Sequence, residues 1–166
     1  MTTAPADTSP RPTGDLSAEV SANSWATRAE AALAAAGRRS GAARHALLLL
    51  LGEQSCALTA TEIEQELRAR SERPVSRASV YRILDELVGA GVVARVETGQ
   101  GVVRYERSRD AQGDHHHHLV CDTCGMVMPF ADEALERAID ELSERVPLAV
   151  SEHEIVLHGA CNSCAS

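Results

Sequence analysis

The segment HHHHLVCDTCG, from His115 to Gly125, decides how this chain is read. Four consecutive imidazoles stand just ahead of a Cys-x-x-Cys pair, Cys121 and Cys124. A second pair, Cys161 and Cys164, follows further along the chain. Two such pairs supply four thiolates, the ligand set of a closed tetrahedral zinc site. A single pair would fit a redox motif, and two pairs in an oxidising compartment would fit disulfides.

The N-terminal flank argues against the oxidising compartment. It begins MTTAPADTSPRPTGD, rich in Pro, Thr, Ser and Ala, with no apolar run of a secretory or transit segment. Residues 1–22 are expected to form a disordered tail. No stretch approaches the ~18 apolar residues of a membrane span. The expectation is a cytoplasmic chain whose thiols stay reduced and free to bind metal. Five cysteines leave Cys56 over.

The net charge of −8 at first argues against a nucleic-acid partner, but it is unevenly distributed. Residues 24–100 hold ten Arg against nine acids, whereas residues 101–166 hold five Arg against twelve acids. The acidity belongs to the C-terminal part, and all 16 basic residues are Arg.

Working outward, Trp25, Ala29, Ala32 and Leu33 recur at helical spacing over Ser24 to Ala36, and Gly37 is placed to end that helix. RHALLLLL, from Arg44 to Leu51, reads as a short buried helix. Thr59 and Glu62 match a capping box opening a third helix to about Arg70, apolar at Ile63 and Leu67. Ser76 caps a fourth, with Val80, Ile83, Leu84 and Leu87 inward. Two alternating runs, Val92 to Glu97 and Val102 to Glu106, joined by TGQG, predict a β-hairpin. Helices followed by a hairpin make a winged helix-turn-helix, whose second helix would read DNA. Beyond a polar linker at 108–114, strands are expected at His116 to Val120, Met126 to Phe130 and Val150 to His158, with a helix from Asp132 to Val146. The fold class is therefore α+β. A winged-helix domain over 23–107 is followed by a polar linker at 108–114 and a small metal-binding α/β unit over 115–166 that a partner subunit would help to stabilise.

With these residues in hand, the chain resembles the ferric uptake regulator (Fur) family, which includes zinc-responsive and peroxide-responsive members. HHHHLVCDTCG, Glu136, EHEIVLHGAC leading to Cys164, and ASVYRILDEL carry the likeness, over about residues 25–164. The resemblance implies a homodimeric, metal-dependent DNA-binding repressor of zinc or iron uptake genes, and not an enzyme. It makes the linker at 108–114 a hinge and the unit over 115–166 a dimerisation domain. It implies structural Zn²⁺ on Cys121, Cys124, Cys161 and Cys164, the four that spacing alone selects, and a regulatory Zn²⁺ or Fe²⁺.

Alternation along a strand sends His115 and His117 to one face and His116 and His118 to the other. One histidine run can thus serve two metals. The resemblance implies a second site on His115, His117, Glu136 and His153, a donor set suiting Zn²⁺ or Fe²⁺. It implies a hinge sensor site on His116 and His118 with Glu106, at the end of the wing. Iron- and peroxide-responsive relatives add a histidine just before the third helix, where this chain has Ala57 with Cys56 beside it. One type of zinc-responsive relative uses an aspartate and a cysteine where this chain has Ala94 and Ser108. Cys56 therefore reads either as a thiolate ligand favouring Zn²⁺ or as a small core residue. For DNA, Ser79, Tyr81 and Arg82 match family contact positions, and Arg44 and Arg77 are expected on phosphate or in a groove.

Three other readings compete. A zinc enzyme would need an open coordination position, yet HExxH and the HxE…PCxxC deaminase signature are both absent. A thiol redox switch would need a lowered thiol pKa. A peroxide- or redox-responsive repressor of the same family is the remaining alternative.

Overall fold

A computed structural model describes residues 16–71, 75–99, 101–108, 116–151 and 153–165. The chain divides into two compact units between Glu53 and Gln54. His115 and nearly all of the 108–114 linker lie outside the described residues, as does the tail up to residue 15.

The first unit contains two packed helices, α1 (Leu16–Ala35) and α2 (Ala42–Glu53). Helix α1 starts eight residues before the expected Ser24 and takes in residues 16–22, which the sequence reading placed in the tail. Those residues, LSAEVSA, lie beyond the last helix breakers of the tail, Pro12 and Gly14. Ala22, Trp25, Ala26, Ala29 and Leu33 are buried on α1, and Leu47, Leu48, Leu50 and Leu51 on α2. Gly52 sits at a close approach of the two helices, since a Cβ there would lie 2.9 Å from the Ala22 carbonyl oxygen.

The second unit starts with a strand too short for any periodicity to announce, β1 (Leu58–Thr59). Thr59 then caps α3 (Ala60–Arg70): its hydroxyl accepts from Glu62 N–H at 3.1 Å, and Glu62 accepts from Thr59 N–H at 2.7 Å. Both arms of the expected capping box are made. Ser76 caps α4 (Arg77–Gly89), whose Val80, Ile83, Leu84 and Leu87 are buried. Gly91, at φ +68°, takes the chain out of α4 in a conformation that glycine adopts without strain. The hairpin follows as β2 (Val93–Glu97) and β3 (Val103–Arg107). Strand β3 is central in a sheet of order β1-β3-β2, pairing antiparallel with both neighbours.

The remainder contains β4 (His117–Cys121), β5 (Val127–Phe130), α5 (Glu133–Ser143) and β6 (Val156–Gly159). Strand β4 is central, antiparallel to β5 and parallel to β6. The parallel pairing sets Cys121 beside Gly159, so both cysteine pairs come to one end of this sheet. Asp132 caps α5 through Ala134 N–H and Leu135 N–H. Helix α5 and β6 are shorter than expected, because the chain turns after Ser143 and β6 begins only where β4 offers a partner at His118. No helix of the described residues is long and apolar enough to cross a membrane.

Candidate metal centres and DNA-reading surface

Cys121 closes β4 and Cys124 follows in a tight turn, with Gly125 N–H donating to the Cys121 carbonyl at 2.8 Å. Cys161 and Cys164 repeat the pattern after β6, with Cys164 N–H donating to the Cys161 carbonyl at 2.8 Å. The four sulfurs gather within 4.8 Å of one another. Backbone N–H groups of Cys161 and Cys124 point at the Cys121 sulfur and hold that thiol down at about 6. Hydrogen bonds with the Cys161 and Cys124 thiols push Cys164 up to about 12. Four sulfurs gathered this closely are the donor set of a closed tetrahedral centre, so the cluster fits the structural zinc its spacing implies.

The histidine run behaves as alternation requires. His117 Nε2 lies 2.8 Å from Glu136 Oε1, and His153 Nε2 lies 3.0 Å from Glu136 Oε2. Each arm of the α5 carboxylate thus faces one imidazole, and the three residues form one donor group. Their expected fourth member, His115, is outside the described residues.

On the opposite side of β4, His116 and His118 converge on a single oxygen, Glu106 Oε2, at 3.0 and 3.1 Å. These three form the other N/O donor group. His118 is fully buried and Glu106 is buried at the end of the wing. Burial opposes the charge on Glu106, but the two imidazoles outweigh it and hold the carboxyl down at about 2. Burial likewise opposes a charged His118, but the Cys56 thiol and Glu106 outweigh it and raise the imidazole to about 9. A divalent ion would supply the positive charge that the buried Glu106 carboxylate draws from its two imidazoles, and the donor set fits such an ion. Cys56 stands beside His118, but its sulfur is not within 4.8 Å of all three donors. An open cavity of about 590 Å³ is lined by Glu106, Ala94 and Ser108 and also by His153, giving both groups a route to solvent.

On α4, Tyr81 and Arg82 are exposed, and Ser79 is half-buried with its N–H donated to Ser76. Arg77 opens the helix, and its Nε donates to Glu64 Oε2 at 2.7 Å. Glu64 Oε1 accepts from Arg68 at 2.9 Å. Arg44 lies on α2 in the other unit and donates to the Arg39 carbonyl. The sequence reading missed Glu64, although Ala60, Ile63, Glu64 and Leu67 form one buried stripe and an acid on such a stripe signals a partner. It also missed Arg104, buried on β3 and bonded to three separate segments.

The profile of the ferric uptake regulator family matches residues 35–158. The ferric uptake regulation protein of Vibrio cholerae serotype O1 is 32% identical over 136 residues, covering 81% of this chain and 88% of that protein. The Helicobacter pylori ferric uptake regulator, a protein with three functional metal-binding sites, superposes with a TM-score of 0.73 at 25% identity. The likeness covers 87% of this chain and 94% of that one. A zinc uptake regulator complexed with zinc and DNA gives a TM-score of 0.54 at 27% identity, over 87% and 95% of the two chains.

Proposed function

The chain belongs to the ferric uptake regulator family of metal-dependent DNA-binding transcriptional regulators of metal uptake, and from that premise we propose how its own residues divide the work. Cys121, Cys124, Cys161 and Cys164 hold a structural Zn²⁺. Glu106, His116 and His118, with Cys56 beside them, form the effector site at the hinge. His117, Glu136 and His153, completed by His115, form a second site. The chain works in the cytoplasm as a homodimeric repressor of zinc or iron uptake genes.

The observation that carries this reading is the convergence of His116 and His118 on Glu106. Glu106 belongs to the hairpin of the DNA-reading part, and the histidines lead into the sheet of the C-terminal part. Glu106, His116 and His118 would hold a divalent ion, whose charge would keep this carboxylate and these imidazoles together. Glu106 then fixes the wing, and His118 fixes the strand from which the C-terminal sheet is built. Ligand that binds one arrangement better stabilises it, and by linkage DNA and metal strengthen each other's binding equally.

The donor set, two imidazoles and a carboxylate, suits Zn²⁺ or Fe²⁺. Ala94 and Ser108 line the cavity beside Glu106 and bring no further ligand to it. Dimerisation is supported by apolar surface on the C-terminal part: Met126, Met128, Leu142, Leu148 and Leu157 are exposed, and α5 has no buried residue. On DNA, Tyr81 and Arg82 read bases from α4, while Arg77 and Arg44 meet phosphates.

The test is a DNA-shift assay on anaerobically purified protein, stripped of effector metal and then titrated with Zn²⁺ or Fe²⁺. Metal-dependent tightening is expected, and binding indifferent to metal would sink the proposal.

A further inference from the structure

Arg104 is the least exposed arginine among the described residues of the second unit, and its bonds leave in three directions. Its Nη1 donates to the Ala57 carbonyl at 3.3 Å and to Glu62 Oε2 at 3.0 Å, and its Nη2 donates to the Gly125 carbonyl at 3.0 Å. Ala57 lies between Cys56 and β1, in register with the wing through the pairing of Thr59 with Arg104. Glu62 Oε2 is the same oxygen that closes the capping box of α3 on Thr59 N–H. Gly125 is the residue after Cys124, and its N–H closes the first cysteine turn on Cys121. Gly125 has φ +73°, so the direction of its carbonyl is set by a turn that ligation of Cys121 and Cys124 would hold. Two residues along β3, on the same face as Arg104, stands Glu106 of the hinge group.

We propose that Arg104 is a positioning residue that couples the four-cysteine centre to the hinge group and to the start of α3, so that metal at either centre tightens metal at the other. The guanidinium is suited to this because its rigid fork meets a carboxylate and two carbonyls at once. A well-formed cysteine turn presents the Gly125 carbonyl, which orients Arg104. Arg104 in turn fixes Glu62, the α3 cap and the strand that carries Glu106. The proposal rests on the metal assignments made above and adds a thermodynamic link between two centres otherwise expected to act separately.

The experiment measures how strongly the zinc of the cysteine centre resists a competing chelator at equilibrium, with and without saturating Mn²⁺. Mn²⁺ prefers nitrogen and oxygen donors and leaves thiolates to Zn²⁺. In the unaltered protein, Mn²⁺ is expected to tighten zinc retention about fivefold or more, the lower end of ordinary coupling between sites. Arg104→Met is expected to lose that difference, whatever its zinc retention without Mn²⁺; a purely structural arginine would lower both values together. Glu62→Gln is a gentler second variant, because Gln still serves a capping box but carries no charge for Arg104, and it is expected to reduce the Mn²⁺ effect. His118→Ala should abolish it, locating its origin at the hinge group. A Mn²⁺ effect that survives in Arg104→Met and Glu62→Gln overturns the proposal, as does Mn²⁺ binding without any effect in the unaltered protein. Failure of Mn²⁺ to bind at His116 and His118 is a separate result, read from its magnetic resonance spectrum. It overturns the hinge assignment and the coupling with it.

Discussion

The cysteine centre and the hinge group differ in how the chain builds them. Each half of the cysteine centre is a four-residue turn, made locally and then brought to its counterpart by one parallel strand pairing. The hinge group has no local half. Glu106 comes from the wing, His118 from the central strand of a different sheet and His116 from just before that strand. The first centre can hold a piece of fold together. The second can report whether two pieces of fold are near each other. Thiolates against imidazole and carboxylate sharpen the contrast, since four sulfurs make a tight closed centre and the N/O set a more exchangeable one.

The largest effect should come from breaking the first centre. Cys161→Ser is expected to lose one tightly held zinc per subunit and to unfold the C-terminal part, because structural zinc binding is itself folding energy, on the order of 10 kcal/mol in small zinc domains. Metal analysis with a thermal melt checks it, and a variant that keeps its zinc and its dimer breaks the assignment. Next is His118→Ala. It should abolish metal-dependent DNA binding, a response of about 5- to 150-fold if the coupling is ordinary, while structural zinc and dimerisation survive. An unchanged response would remove the hinge site.

The pH dependence separates loaded from empty protein. Without metal, His118 is raised to about 9, so its pairing with Cys56 and Glu106 stabilises the fold fully below its ordinary value of 6.5. That contribution fades as pH rises through about 9. Glu106, lowered from 4.5 to about 2, contributes above 4.5 and loses that contribution as pH falls through about 2. Metal needs the imidazole neutral, so its affinity should climb with pH towards 9, with proton release on binding. Opposite pH trends in metal-free stability and metal affinity are expected by calorimetry, and parallel trends would refute the pairing.

Smaller effects concern DNA and Cys56. Tyr81→Ala should relax or weaken specific binding by about 1–3 kcal/mol. Arg44→Ala should weaken binding to all sequences and lower the salt slope by about one unit. Fluorescence anisotropy at several salt concentrations distinguishes the two. Cys56→Ser should weaken the response to Zn²⁺ more than that to Fe²⁺, since thiolate is the softer ligand. Equal responses in that variant return Cys56 to the core.

What the sequence disclosed follows the same division between local and distant. The capping box of Thr59 and Glu62, the α4 stripe and the two cysteine turns are written within a few residues, and all are found where the sequence puts them. The two faces of the histidine run follow from alternation alone, and His117 does part from His116 and His118. Strand β1 was not legible, because two residues have no period and Leu58 and Thr59 become a strand only through pairing with Tyr105 and Arg104. The late start of β6 has the same cause. Arg104 was illegible for a further reason: nothing near it in sequence names Glu62 or Gly125 as partners.

The parallel pairing of β4 with β6 also has a consequence in time. Parallel neighbours need an intervening crossover, here β5 and α5, so Cys161 is synthesised well after Cys121. At ribosomal rates of about 5–20 residues per second, the first cysteine pair waits for seconds without its partner. During that interval α1 to α4 and the wing have already been synthesised, while the first two thiols lack the second pair. A chain at that stage holds only half of the four-thiol group. A metal ion that needs all four sulfurs could be bound only once β6 has joined β4.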